Sequence, residues 1–339
     1  MATSPAAAPG SMAADTDGSG GVVGHDARTA SYLTAPRRRR TSRRERIEIA
    51  VLSGPAVIVF VTFVMVPVAL AAYYGFYKWS GFGRPTDFVG LDNYIRILTD
   101  SKFQKALLHN ASILVLSLVI QGPLAILVAL LMNRRIKGRS LIRILLFMPW
   151  VVAEVIAATG WNLMAATEGA INALLKNIGL GSWAQDWLAN PDIAIFTLMF
   201  ILTWKYLGFA IILFMAGMQN IPGDLYEAAA VDGASYWQMQ TRITIPLLAP
   251  TVRIWAFLSI IGSLQLFDLV YIIWRKVDGV AGVSTMATYM VRYGRDAGQY
   301  GMGSAIAVVL FLVSLVVALA YQRLVLRRDT AGALTGGAR

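Results

Sequence analysis

Asn220 to Pro250 reads NIPGDLYEAAAVDGASYWQMQTRITIPLLAP, a polar and small-residue stretch set between two long apolar runs, Ile193–Met218 and Val252–Trp274. Pro222 suits a first helical turn, where its missing N–H costs nothing. Asp224 puts a negative charge at the positive end of the helix dipole. Leu225, Ala228, Ala229 and Asp232 then fall at helical spacing, and Gly233 supplies a stop. Ser235 opens a second helix with Gln238 three residues on, the pattern of a capping box. Pro246 and Pro250 are expected to end that helix before the next apolar run. The stretch therefore predicts a helix, a turn and a helix presented between two membrane spans.

The rest of the chain agrees with a membrane setting. Of its 339 residues 57% are hydrophobic and only 14% charged, whereas a soluble domain carries about a quarter charged residues. No cysteine is present, which excludes disulfides, thiolate metal sites and cysteine nucleophiles. The net charge of +11 is concentrated in RRRRTSRRER, Arg37 to Arg46, directly before the first apolar run. That is the positive-inside signal, and an anionic lipid leaflet is its expected neighbour rather than nucleic acid.

Residues 1–36 are rich in Ala, Gly, Ser, Thr and Pro and read, with the basic run, as a disordered cytoplasmic tail, 1–46. They do not read as a secretory signal, because the apolar run comes too late and is too long. Six runs of membrane length follow within 47–325: Ile49–Tyr74, bent by Pro55 and Pro67, then Leu107–Met132, Leu141–Met164, Ile193–Met218, Val252–Trp274 and Met302–Tyr321. Arg134, Arg135, Lys137 and Arg139 place the loop after the second run inside, and Arg323, Arg327 and Arg328 hold the C-terminal tail, 326–339, on the same side. Both termini and the 219–250 loop are thus expected in the cytoplasm. The outer segments are about 75–106 and 165–192, the second with Trp183 and Trp187 at the membrane interface. Gly303 and Ala307 read as a small-residue helix contact.

Ionisable groups at membrane depth are costly and point to function. Glu154, Lys205 and Asp268 are such groups. At about 1.5 Å per residue, Glu154 and Lys205 lie at matched depth, roughly 15 Å below the outer ends of their runs, and are expected to pair. Asp268 lies only about 9 Å down by the same count.

Glu227-Ala228-Ala229, then Asp232-Gly233-Ala234, then Ile245-Pro246 resembles the EAA loop of the membrane permease subunits of binding-protein-dependent ABC importers. Phe88 to Tyr94, FVGLDNY, is similar to a segment after the first span of the sugar-type permeases. FDLVYII, Phe267 to Ile273, and MATYMVRYG, Met286 to Gly294, look like those of the maltose-type, oligosaccharide permeases. The chain departs from that pattern at Trp274-Arg275-Lys276-Val277-Asp278-Gly279, where such relatives often have a Gly-Gly-Pro turn. The resemblance implies an all-α integral membrane fold, six transmembrane helices of the type I ABC importer permease with a cytoplasmic coupling helix-turn-helix. It also implies that the loop docks on a separate ATPase: Glu227 would face a basic group, Ala228 and Ala229 would allow close approach, and Gly233 would make the bend, with Asp232 also among the coupling residues. ATP and Mg would bind to the ATPase, and no cofactor, metal or catalytic group is expected on this chain, which has no G-x-x-x-x-G-K-[ST].

The partners implied are a second homologous permease, two ATPase subunits, an extracytoplasmic solute-binding protein and the bilayer of a bacterial cell membrane. For a sugar pathway the candidates are Gln121, Glu154, Trp161, Asn162, Trp204, Lys205, Gln265, Asp268 and Tyr271, with Tyr206 beside them. Sugars need planar hydrogen-bonding side chains around their hydroxyls and aromatic faces against their C–H surfaces. The same residues admit other readings: Trp161, Trp204 and Tyr271 as interfacial aromatics, Gln121 as helix glue. On its helical pattern alone, the hairpin reads equally as one that packs only on its own domain. The rival function is an ion-driven secondary transporter with Glu154, Asp268 and Lys205 as a proton relay. Within the importer reading, glycerol phosphate or another polar solute is the alternative cargo.

Overall fold

The computed structural model describes residues 43–134, 137–275 and 283–326. The leader, most of the Arg37–Arg46 run, Lys276 to Gly279, and Arg327 and Arg328 lie outside the described residues. Two units are distinguished, one ending at Val59 and one running from Phe60. The described part of the first is the start of a helix that carries Arg44 and Glu48, an exposed pair one turn apart at 3.0 Å.

Five helices are long and apolar enough to cross a bilayer: Ile47–Tyr74, Ser101–Met132, Pro191–Gln219, Ala249–Ile273 and Tyr300–Val325. The run expected as a third continuous span is instead two helices, Ser140–Val151 and Glu154–Met164, meeting at 95°. Pro149 lies in the last turn of the first of these, and Val152 and Ala153 adopt extended dihedrals. Whether the pair counts as one span decides between five and six.

Pro191–Gln219 is central: 56% of its apolar window is buried, against none of that of Ile47–Tyr74. Small residues set its contacts. A Cβ on Gly208 would come within 2.2 Å of the Leu146 carbonyl oxygen and 2.8 Å of the Phe147 Cα, so the helix ending at the break crosses the central helix at backbone distance. Ala125, Ala129 and Ala210 pack the second span against the central helix around Phe214 and Trp255. Gly303 and Gly294 meet in the same way, a Cβ on Gly303 falling 2.5 Å from the Gly294 Cα, which gives the expected small-residue contact a partner.

Membrane depth demands that every backbone group freed by a broken helix find a partner. The fifth span breaks at Gln265–Phe267, between Ala249–Leu264 and Asp268–Ile273. Asn110, fully buried, donates to the carbonyls of Ser263 (2.6 Å) and Leu264 (3.4 Å) and accepts from the Met286 N–H (2.9 Å). Thr285 donates to the Leu266 carbonyl at 2.7 Å. Two polar side chains thus hold the break open.

The connections differ from expectation in two places. Between the first two spans a short antiparallel pair, Tyr77–Lys78 with Asp87–Phe88, precedes the helix Asp92–Thr99. The second span then starts at Ser101 rather than Leu107, because Asp100 caps it by accepting from the Lys102 N–H. In the hairpin, Pro246 and Pro250 do not end the second helix. Each stands in the first turn of a fresh helical segment, where no N–H is missed, so the chain stays helical from Tyr236 into the fifth span with one turn residue at Leu248. Similarly Pro67 follows the π-helical turn Val61–Met65 without interrupting the first span. The segment 165–192 carries the helix Ala170–Asn177, organised by buried Asn172, which donates to the Thr167 and Gln185 carbonyls and accepts from Trp187 Nε1 at 2.8 Å.

Candidate functional site

A cavity of about 270 Å³ opens between the second, central and fifth spans and the broken pair. Its polar wall is a hydroxyl chain: Ser117 donates to Gln121 Oε1 at 2.7 Å and lies 2.8 Å from the Ser259 hydroxyl. Ser117 to Gln121 is a π-helical turn immediately before Gly122-Pro123. Such a bulge turns side chains off the regular helical face and frequently marks a functional site. A Cβ on Gly122 would meet the Trp255 ring at 2.6 Å, so glycine is what lets Trp255 form part of the wall. The aromatic wall adds Trp150, stacked on Phe209 at 5.5 Å and 17°, and Tyr206. Serine hydroxyls, an amide and flat rings around an otherwise apolar space suit a polar solute with C–H faces.

Behind that wall lies a charge pair, Lys205 buried and Glu154 half-buried. Lys205 is 1% exposed, and its ammonium donates to the carbonyls of Pro149 (3.1 Å), Trp150 (3.3 Å) and Val152, the free carbonyl end of the helix before the break. Glu154 opens the helix after the break and lies 3.7 Å from the same ammonium. Its Oε1 accepts from the Tyr206 hydroxyl at 2.9 Å, while its Oε2 is buried with no hydrogen-bond partner. The pair expected from matched depth is therefore present, and it straddles the helix break.

The other candidates from the sequence are dispersed. Gln121 lines the cavity. Trp161 packs edge-on against Trp204 (5.4 Å) and Phe200 (5.5 Å), with its Nε1 buried and unpartnered. Asn162 donates to the Ile273 carbonyl at 2.7 Å, tying the broken span to the fifth. Tyr271 stacks on Phe267 and accepts from Arg295 at 2.6 Å. Gln265 and Asp268 are exposed at the break in the fifth span. The lining serines Ser117, Ser259 and Ser263, and Trp150 and Phe209, were not singled out from sequence. The four-residue spacings Ser117/Gln121 and Ser259/Ser263 were the available signal.

The hairpin is a second candidate site. Its first helix is Asp224–Val231, beginning two residues after Pro222. Gly233 takes a left-handed φ of 74°, and the N–H groups of Gly233 and Ala234 return to the carbonyls of Ala230 (3.1 Å) and Ala229 (2.9 Å), a Schellman closure. Ser235 and Gln238 form the capping box. Glu227, Ala228, Asp232 and Gly233 are exposed and Ala229 half-buried. Val231 is 89% exposed at the tip and Leu225 and Trp237 are exposed on the two helices, so the hairpin offers small side chains and several apolar ones outward. Tyr226 ties the two helices through the Thr244 hydroxyl at 3.0 Å.

Multiple apolar spans, broken helices closed by polar side chains and a solute-sized cavity define a multi-pass membrane transport protein. The chain belongs to the family described as binding-protein-dependent transport system inner membrane component, which matches residues 121–330. It is 32% identical over 268 residues to the trehalose/maltose transport system permease protein MalF of Thermococcus litoralis, covering 79% of this chain and 90% of the relative. It is 31% identical over 272 residues to the arabinooligosaccharides transport system permease protein AraP of Bacillus subtilis, covering 79% and 85%. To the diacetylchitobiose uptake system permease protein NgcF of Streptomyces coelicolor it is 32% identical over 299 residues, covering 84% and 83%. Among solved structures it is similar to a bacterial ABC transporter involved in import of the acidic polysaccharide alginate, with TM-score 0.71, 27% identity, and 84% of this chain and 96% of that chain covered.

Proposed function

We propose that this chain forms half of the translocation pathway of an ATP-driven importer for a sugar or oligosaccharide, with the cavity between Gln121, Ser259, Trp150 and Tyr206 on that pathway. Membership of the permease family carries the transport reading. The names of the relatives, all but one of those above specifying a small or oligomeric sugar, support the cargo. The hydroxyl-and-aromatic lining is the chemistry such a cargo needs.

The hairpin is the coupling element. Its exposed Glu227-Ala228 and left-handed Gly233 are suited to docking: small side chains allow close approach, and one charge fixes register. Two ATPase subunits would hold it and bind ATP and Mg, a second homologous permease would complete the pore, and an extracytoplasmic binding protein would deliver the sugar. The alginate importer has been solved in complex with an alginate pentasaccharide-bound periplasmic protein, which supports the last partner. The termini and the hairpin lie in the cytoplasm on the positive-inside argument, with a six-span domain, 47–325, between the 1–46 and 326–339 tails. ATP binding and release would move the hairpin between two states of different docking free energy, and the spans with it.

Co-purification of tagged wild type and Glu227→Arg, with ATPase activity assayed in the recovered complex, tests this. Wild type should bring down an ATPase and a second permease, and the variant should lose the ATPase or its stimulation. Transport by the chain alone without ATP would overturn the reading.

A further inference from the structure

Lys205 does more than balance Glu154. An ammonium is a compact charge with three donors, and here they serve carbonyls at the end of Ser140–Val151, those of Pro149 and Trp150, and that of Val152 just beyond it. Those carbonyls have no intrahelical partner because the helix stops there, and water is scarce at this depth. They are also the negative end of that helix's dipole, where a cation is favoured. Glu154 meanwhile stands in the first turn of Glu154–Met164, at the positive end of the next dipole. Lys205 thus closes the carbonyl end of a 95° break, and its partner Glu154 places a negative charge at the other end.

The break is in turn part of the cavity wall. Trp150, whose carbonyl Lys205 holds, lines the cavity and stacks on Phe209. Tyr206, next to Lys205 in sequence, lines it too, and its hydroxyl is held by Glu154. Gly208, one turn from Lys205, admits the Leu146–Phe147 backbone, so the helix end is pressed onto the central helix where the ammonium can reach it. Both aromatic walls are therefore positioned by the same two charges.

We propose that Lys205 is a positioning residue: by gathering the carbonyls of the broken span it sets where Trp150 and Tyr206 stand, and so the shape of the cavity. That the cavity takes sugar rests on the function proposed above; the positioning role does not.

The absence of cysteine allows a direct test in the complete transporter, reconstituted with its ATPase, second permease and binding protein. Gly262 lines the cavity and a Cβ there meets nothing within 4 Å, so Gly262→Cys is the reporter, its reaction with a methanethiosulfonate reagent read by the mass of this chain. Two variants are compared with the reporter parent. Lys205→Arg keeps the charge but replaces a compact ammonium by a planar fork; Lys205→Met with Glu154→Gln removes both charges together. Both should change the labelling rate by at least about fivefold, the factor that one lost hydrogen-bonded group commands. Labelling within about twofold of the parent in both overturns the positioning role. A change in the neutral double variant alone, with Lys205→Arg like the parent, also overturns it, since charge would then suffice. Should the double variant fail to assemble, Lys205→Arg decides alone. Maltose, trehalose and diacetylchitobiose are then tested for protection of the parent cysteine. If none protects while the variants still shift labelling, the positioning role stands and the placing of sugar in this cavity falls.

Discussion

The guanidinium of Arg134 lies 3.7 Å from the centroid of the Tyr236 ring, and the Tyr236 hydroxyl donates to the Leu130 carbonyl at 3.2 Å. Tyr236 is the first residue of the second hairpin helix, and Leu130 and Arg134 are at the end of the second span. The hairpin is therefore fastened to a span other than the two it connects. A cation over an aromatic face contributes about 0.5–1 kcal/mol at an exposed site, and the hydrogen bond about 1 kcal/mol. Tyr236→Phe should keep the first and lose the second, lowering substrate-stimulated ATPase activity of the reconstituted complex a few-fold. Tyr236→Ala should lose both, by roughly tenfold if the two add. Stimulation unchanged in Tyr236→Ala would show that the contact transmits nothing.

Gly208→Ala should be among the most damaging single-methyl additions in the chain. The new Cβ would face backbone at 2.2 and 2.8 Å, and backbone cannot rotate away as a side chain can. Overpacking of this kind costs about 1–3 kcal/mol or more. Gly160→Ala is the matched control, because nothing lies within 4 Å of its Cβ and alanine favours a helix interior by about 1 kcal/mol. Thermal unfolding in detergent should fall for the first and hold or rise for the second. Equal melting temperatures would mean that the crossing at Gly208 is looser than described.

These contacts mark what could be read from the sequence. Helical hairpin, capping box and left-handed Gly233 were legible because their signals are local: a cap, its partner three residues on, a glycine stop. The Glu154–Lys205 pair was legible because membrane depth converts residue counts into height. The break in the third span was not. Pro149 alone does not distinguish a kink from a stop, and the reason for the stop is Lys205, more than fifty residues away, whose donors make a free helix end tolerable. The cavity serines were missed for a related reason. Serine is common in membrane helices as helix glue, and only the meeting of Ser117 with Ser259 across two spans distinguishes a lining hydroxyl from a packing one. Asn162 and Trp161 carried the same chemical promise, but tertiary packing turned the first onto the Ile273 carbonyl and the second onto Trp204 and Phe200.

Stability should depend on pH through Asp100. Burial raises its pKa, but the Tyr289 hydroxyl (2.5 Å), the Lys102 N–H (2.8 Å), the Lys102 charge and the Tyr293 hydroxyl (3.4 Å) outweigh burial and hold it below the usual carboxylate value. A lowered folded-state pKa means the unfolded chain takes up the proton first. The stabilisation is then fully present above the unfolded value, about 3.9, and is lost as pH falls through the folded one. Melting temperature in detergent should drop below about pH 4 in wild type. Asp100→Asn should be less stable at neutral pH and show a shallower acid limb. An acid limb of the same depth in Asp100→Asn would assign it to other carboxylates.

Gln121 offers the sharpest test of the cavity. Ser117 has one hydroxyl hydrogen, and it goes to Gln121 Oε1; the Ser259 hydroxyl must then donate to Ser117. The relay runs in one direction and ends on the Gln121 carbonyl. The amide NH₂ is then a donor this wall can offer a solute hydroxyl. Gln121→Leu removes both ends and should raise the KM for a transported sugar by roughly twofold to tenfold, the range of one neutral hydrogen bond. Gln121→Glu keeps an acceptor for Ser117 and abolishes the donor. If Gln121 only braces Ser117, the glutamate variant should transport like wild type. If its NH₂ meets the sugar, glutamate should fail as leucine does, with KM rising more than maximal rate falls. A wild-type KM in Gln121→Glu would therefore leave Gln121 as packing and move the search for the sugar-binding donor to the Ser263 hydroxyl and the Trp150 indole N–H, which also line the cavity.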